Sequence, residues 1–251
     1  MKVSSISSKD NTRIKHLKKL LADRAYRYEH RRYVLEGVRA LDGLSLIDEL
    51  FVREGSFVPD IEVCARYDVS PYVFDAVADT GQSQGIMAIC TMPEVVDPID
   101  PQKMYLLLDH IQDPGNMGTM IRTACAFGFQ GVLLSEGCTD PYSPKAARSA
   151  MGALHKIGVR SFASVEELAG FTLVVGDATG EPLSSFRWPA SFVLCVGSEA
   201  HGVSAPLRAI AHHTVSIPIL PVMESLNAAV AAGIMSYDAS RKNGDPHASK
   251  G

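Results

Sequence analysis

The chain has 251 residues, 46% hydrophobic and 21% charged, with a formal net charge of −4. That composition supports a sizeable core rather than general disorder. No apolar run approaches the ~20 residues that span a bilayer, and residues 1–11 lack the apolar centre of a signal peptide, so a cytoplasmic protein with no membrane partner is expected.

Near the start, the overall acidity conceals a basic stretch. Residues 9–39 hold ten Lys/Arg against four Asp/Glu, a net of +6, which leaves −10 for the rest. Residues 12–32 read as one helix, with Ile14, Leu17, Leu20 and Leu21 at helical spacing and the basic residues between them. A charge run is usually a solvated helix face. Here Tyr26, Tyr28 and Tyr33 stand among the arginines, and tyrosine stacks on bases while arginine and lysine hold phosphate. Arg13, Lys15, Lys18, Lys19, Arg31, Arg32 and Arg39 are therefore the candidate RNA contacts.

Strand-like runs follow at residues 33–35, 50–52 and 85–90, separated by helical stretches, which makes residues 1–95 a small α/β domain. Pro98 and Pro101 mark residues 96–103 as a linker. From residue 104 to 243 the pattern changes. Continuous apolar runs at 105–108, 131–134, 171–175, 192–196 and 215–217, with helical segments between most of them, suit a parallel sheet covered on both faces. Residues 244–251 are a polar tail. The five cysteines (Cys64, Cys90, Cys125, Cys138, Cys195) form no CxxC or CxxH pair and are odd in number. Neither zinc nor a disulfide framework is expected, and no metal is assigned.

Three segments place glycines and polar residues at the carboxyl ends of expected strands, where open α/β sheets bind ligands. In the first, a Pro114–Gly115 turn leads into a helix starting near Asn116, which read alone is an N-cap. Arg122 lies six residues on, among Met120, Ile121, Ala124 and Phe127, and an interior arginine there needs a partner. In the second, Gly197 and Gly202 bracket Glu199 directly after a strand; His201 is either a general base or, as loop histidines more often are, a capping or solvent-facing residue. In the third, a strand ends at Ile217 and Pro218, and a small-residue helix begins near Ser225, with Ser225 and Asn227 as ordinary caps. Neither GxGxxG nor a P-loop occurs, which argues against a nucleotide-dependent oxidoreductase or a nucleoside triphosphatase.

Taken in order, these segments resemble the three signature motifs of the SpoU/TrmH family, within the SPOUT superfamily of RNA methyltransferases. Asp113, Pro114, Asn116, Gly118, Arg122, Thr123 and Ala124 match D-P-x-N-x-G-x-x-x-R-T-A. Gly197, Glu199 and Gly202 match G-x-E-x-x-G. Ile217, Pro218, Ser225, Leu226 and Asn227 match I-P followed by S-L-N. Tyr142 to Lys145, with Arg148, Met151 and Gly152, is similar to the family's intermediate segment, and Val34 to Gly37 with Gln84 to Ala88 to the substrate-binding domain often attached. Ala200 stands where many relatives have Gly, and Ala228–Ala229 replaces a common Val-Ser, both small changes.

The resemblance implies an α/β catalytic domain whose parallel sheet ends in a C-terminal trefoil knot, preceded by a small α/β RNA-binding domain. It implies S-adenosyl-L-methionine (AdoMet) as cofactor, held by backbone groups at Gly197, Ile217 and Leu226. It implies methylation of a ribose 2′-hydroxyl, in ribosomal rather than transfer RNA, by a homodimer. Arg122 would orient a phosphate and stabilise developing oxyanion charge, since an arginine is too weak an acid to serve readily as a base. Asn116 would hold Arg122 or the ribose. Ser225 and Asn227 would orient the hydroxyl or support the loop, and Glu199 would brace the knot or pair with a cation. A non-catalytic RNA-binding protein on the same scaffold would keep the basic segment and lose these polar residues.

Overall fold

Helical and strand periodicities alternate along the chain, and the structure resolves them into two separate sheets. The computed structural model describes residues 2–41, 43–44, 47–78, 83–94 and 98–242. Residues 96 and 97 of the expected linker and the expected tail 244–251 lie outside them. In chain order the first elements are β1 (Lys2–Ile6), α1 (Thr12–Ala22), α2 (Arg24–His30), β2 (Arg32–Glu36), β3 (Ile47–Arg53), β4 (Val63–Val69), α3 (Pro71–Asp75) and β5 (Ile86–Thr91). There follow β6 (Met104–Asp109), α4 (Pro114–Ala126), β7 (Gly131–Leu134), α5 (Pro144–Ala150), β8 (Gly158–Ser161) and β9 (Leu173–Pro182). Last come β10 (Phe192–Gly197), α6 (Ala205–Ala209), β11 (His213–Ser216) and α7 (Ala228–Lys242).

The first unit comprises Met1–Pro93 together with Asp140–His155. Its sheet has the order β1-β4-β3-β5-β2, with β5 antiparallel to both its neighbours. Ile14, Leu17 and Leu20 of α1 are buried in one core with Val34, Phe51, Val69 and Ile89, and each such side chain contributes roughly 1.5–3 kcal/mol. The expected single helix over 12–32 is two. Asp23 is extended (φ −116°, ψ 115°), and its carboxylate caps α2 by accepting the Tyr26 N–H at 3.2 Å. β1 and β4 fall outside the expected strands. Only Val63 and Val69 of β4 are buried, so it carries little apolar signal.

The extra segment of this unit corrects a single cut near residue 95. Arg27, the buried residue of α2, sends Nε and a terminal nitrogen to Asp140 at 2.9 and 2.7 Å and another nitrogen to the Leu20 carbonyl at 2.7 Å. Arg148 of α5 pairs with Glu36 of β2 at 3.1 Å, and the ring of Tyr33 lies against those of Tyr142 and His155. A guanidinium this deeply buried requires its carboxylate, and the carboxylate comes from residue 140.

The second unit comprises Glu94–Thr139 and Lys156–Gly251. Its six-stranded sheet has the order β11-β9-β10-β6-β7-β8, with every adjacent pair parallel. All residues of β7 and β10 are buried, as strands covered on both faces should be. Within the expected linker, Ile99 packs on this unit's core and the Asp100 N–H donates to the Tyr105 hydroxyl at 3.0 Å. Since all strands run the same way, the loops after β6, β10 and β11 emerge at one edge, and the chain order reverses between β10 and β6.

Candidate active site

The turn after β6 is built by Asp113, not Asn116. The Asp113 carboxylate accepts the Asn116 N–H at 2.8 Å, and Pro114 opens the helix where a missing N–H is harmless. Asn116 is thereby one turn inside α4, and its side chain is free for other work. Likewise α7 starts at Ala228 rather than near Ser225. The Asn227 side-chain oxygen accepts the N–H groups of Ala229 and Val230 at 2.9 and 3.2 Å, so Asn227 is the cap and Ser225 is an exposed loop residue.

These two asparagines and Glu199 form one chain of hydrogen bonds. Because the Asn227 oxygen is engaged by α7, its amide nitrogen donates, to the Asn116 oxygen at 3.1 Å. The Asn116 amide nitrogen then donates to the Glu199 carboxylate. The donor order is forced throughout, since a carboxylate only accepts. The three loops are thus tied together by side chains alone.

Beside this chain lies a cleft of ≈ 520 Å³, lined among others by Gly197, Glu199, Ile217, Ser225, Leu226 and Met235. The expected cofactor residues Gly197, Ile217 and Leu226 all line it, and so do Glu199 and Ser225. At Gly197 a Cβ would stand 2.0 Å from the carbonyl carbon of Gly202, so only glycine fits. Gly202 itself has φ +65° and donates its N–H to the Ser198 oxygen at 2.8 Å, closing a tight loop that presents bare backbone. Ala228, Ala231 and Met235 of α7 form another wall.

Asp177, at the far end of β9's buried part, also lines the cleft and was missed. It pairs with Arg208 at 2.9 Å. The Thr179 backbone N–H, then its hydroxyl and Arg208, hold the carboxyl below its ordinary range against the opposing effect of burial. The same rule that flagged the other loops, polar residues and glycine after an apolar strand, would have found it. At the end of β6, Asp109 is buried and accepts the Ser204 N–H at 2.7 Å and Nδ1 of His110 at 2.8 Å. His110 adopts a left-handed backbone, φ +56°.

Arg122 departs from expectation. Met117, Met120, Ile121 and Ala124 are the inner face of α4, and Arg122 is exposed on the outer one. Among the described residues it has no hydrogen bond or ion pair, so it joins neither Asn116 nor Glu199. His201 is exposed in the loop after β10.

The basic candidates are unequally free. Arg13 pairs with Glu49 at 2.7 Å, Lys15 with Asp10 at 3.1 Å and Arg32 with Asp48 at 3.2 Å. Arg31 reaches the Pro93 carbonyl at 3.4 Å, and the Lys19 ammonium is 5.2 Å from the Tyr26 ring centroid. Lys18 and Arg39 have no such partner among the described residues. Of the expected stacking tyrosines, Tyr33 is wholly buried, Tyr28 is exposed with its hydroxyl donating to Asp140 at 3.2 Å, and Tyr26 is half-buried with its hydroxyl 2.9 Å from His16 Nδ1. No group of three His, Cys, Asp or Glu among the described residues could hold a metal ion, and no helix among them is long and apolar enough to cross a membrane.

A family model described as the SpoU rRNA Methylase family matches residues 103–237. The chain is similar to the 23S rRNA (guanosine(2553)-2′-O)-methyltransferase RlmP of Bacillus subtilis (strain 168), 36% identical over 247 residues that cover 94% of this chain and 98% of the relative. It is 32% identical over 172 residues to the 23S rRNA (uridine(2479)-2′-O)-methyltransferase of Streptomyces viridochromogenes, covering 62% of this chain and 60% of that one. Among solved structures, an AdoMet-bound rRNA methyltransferase from Sinorhizobium meliloti superposes with a TM-score of 0.80 at 28% identity, covering 95% of this chain and 98% of that one.

Proposed function

The chain belongs to the SpoU rRNA methylase family, and from that premise we propose that it transfers a methyl group from AdoMet to a ribose 2′-hydroxyl of ribosomal RNA. The observation that carries this reading is the hydrogen-bonded chain Glu199–Asn116–Asn227 beside the ≈ 520 Å³ cleft. The cleft fits the cofactor: its volume lies within the usual span of small-molecule sites, and aliphatic walls with bare backbone groups suit an adenine ring. Gly197, Ile217 and Leu226 would hold it. When bound, AdoMet supplies a methyl group already activated by its sulfonium.

What remains for the protein is to position the 2′-hydroxyl and manage charge. Arg122 would meet the RNA from the outer face of α4, where a free guanidinium can hold a phosphate and stabilise the oxygen as its proton leaves. Asn116 and Asn227 would keep the first and third loops in register, with Glu199 as the anchor. Ser225 would face the bound ribose from the cleft rim. The catalytic domain would carry the family's trefoil knot, a reading supported by the strand order β9-β10-β6. The first unit would bind RNA, and the protein would act in the cytoplasm. A homodimer is supported by an exposed apolar stripe, Val230, Ile234 and Tyr237, along α7.

The test is direct. Calorimetry should show AdoMet binding, and rRNA from cells lacking the gene should lose one 2′-O-methyl site that the purified protein restores. Failure to bind AdoMet, or an unchanged methylation map, would refute the assignment.

A further inference from the structure

The first unit carries a group of rings, none of which lines the cleft. His16 of α1 and Tyr26 and His30 of α2 meet because the break at Asp23 sets the second helix against the first. Ring centroids are 3.9 Å apart for Tyr26–His30, 5.5 Å for His16–Tyr26 and 5.6 Å for His16–His30. The Tyr26 hydroxyl and His16 Nδ1 are 2.9 Å apart. His30 Nδ1 is 3.1 Å from the Tyr26 carbonyl oxygen; a carbonyl only accepts, so this nitrogen is the donor. His30 is exposed, and His16 and Tyr26 are half-buried.

The charges around this group are unbalanced. Arg13 and Lys19 from α1, His30 from α2 and Arg32 from β2 all disfavour a proton on His16. Arg13 and Arg32 are tied to Glu49 and Asp48 of β3. Among the described residues no carboxylate bonds to His16, His30 or Lys19. Burial first, and then these cations, hold the His16 imidazole below its ordinary range. An arriving anion would supply the missing countercharge. Lys15, four residues before Lys19 on the same side of α1, is paired with Asp10, so Lys19 is the cation this side of the helix offers. A single phosphate on so open a surface binds weakly, whereas a chain of phosphates gains from each released counterion.

We propose that His16 and His30, with Lys19 and the Tyr26 ring between them, form an RNA-backbone contact that takes up a proton as it binds a phosphodiester. This deepens the reading of the chain as an rRNA methyltransferase and rests on it. The sign follows from linkage: a proton bound more tightly in the complex makes RNA affinity rise as pH falls, by at most about tenfold per pH unit for each linked proton.

Fluorescence anisotropy with fluorescein-labelled oligouridylate and the full chain, at constant ionic strength between about pH 8 and pH 5.5, reads this slope across the histidine range. The wild type should bind more tightly as pH falls. The double variant His16→Gln/His30→Gln should lose most of that slope, with AdoMet affinity and melting temperature as checks on folding. NMR titration of the two rings in the unaltered protein gives a second reading, in which oligouridylate should raise both titration midpoints. Unmoved midpoints, or a slope the double variant retains, would overturn the contact while the methyltransferase reading stands. Inorganic phosphate that moves the midpoints as far as oligouridylate at equal phosphate concentration would overturn the assignment to RNA. A chain that binds no RNA at any pH would overturn both.

Discussion

Arg122 and Asp109 occupy opposite extremes of environment in the same motif region. Arg122 is exposed and has no partner among the described residues, so removing it should scarcely affect stability, within about 0.5 kcal/mol. Its value, if it is catalytic, lies wholly in the substrate complex. Arg122→Ala should therefore leave the melting temperature and AdoMet affinity near wild type and lower turnover at saturating substrates by ~10²-fold or more. Retained turnover would remove Arg122 from the mechanism. Asp109 is buried, which by itself would raise its carboxyl, but the Ser204 N–H and hydrogen bonds from Ser135, Ser204 and His110 outweigh burial and leave it below the ordinary carboxylate range. A folded value below the unfolded one means that the stabilisation is fully present above about pH 4 and is lost as pH falls through the folded value. Asp109→Asn should flatten the acid limb of a melting-temperature profile taken from about pH 5 downwards. An unaltered limb would show that the acid lability arises elsewhere.

At the level of elements, Asn227 does two things that substitutions can separate. Asn227→Ala removes both the α7 cap and the link to Asn116, and should destabilise by about 0.5–2 kcal/mol. Asn227→Asp keeps the capping oxygen but replaces the amide donor to Asn116, so it should melt close to wild type while binding AdoMet more weakly. Equal AdoMet affinity in Asn227→Asp and wild type would show that the link to Asn116 does not shape the cleft. The elements also show what the sequence made legible. Strands β6, β7, β9 and β10 lie at continuous apolar runs and were readable at once, as were β2, β3 and β5. β4 was not, because Arg66 and Asp68 pair with one another at its surface and its pattern imitates a loop. β8 has four residues and one buried side chain, too few for any period. The cleft-lining residues Gly197, Glu199, Ile217, Ser225 and Leu226, from the second and third motif loops, were named through the family resemblance, whereas no residue of the first motif lines the cleft. That Asp113 caps α4 and so leaves the Asn116 side chain to crosslink was not legible, since both residues are good caps on paper and only the folded turn shows the Asp113 carboxylate on the Asn116 N–H.

For the whole molecule, the unanswered surface is the outer face of α7. Val230 is 51% exposed and Tyr237 56%, and they recur at one-face spacing with Ile234 between them. If this stripe is the contact between two copies, Val230→Asp/Ile234→Asp should convert a dimer to a monomer in light scattering at micromolar concentration. A wild-type monomer under those conditions would dispose of the homodimer.

The Arg27–Asp140 pair has a consequence in time. Its members are 113 residues apart, and between them the chain must make the first strands of the other unit. At about 5–20 residues per second, a ribosome needs roughly 6–23 s to bring the second partner out after the first. From the emergence of Thr91, the last residue of its sheet, until Asp140 follows, the N-terminal half carries a guanidinium it cannot bury, and the rings of Tyr142 and His155 are still missing from Tyr33. The N-terminal half is thus synthesised first but completed late, and its nascent form is a natural client for whatever shields unfinished chains at the exit tunnel.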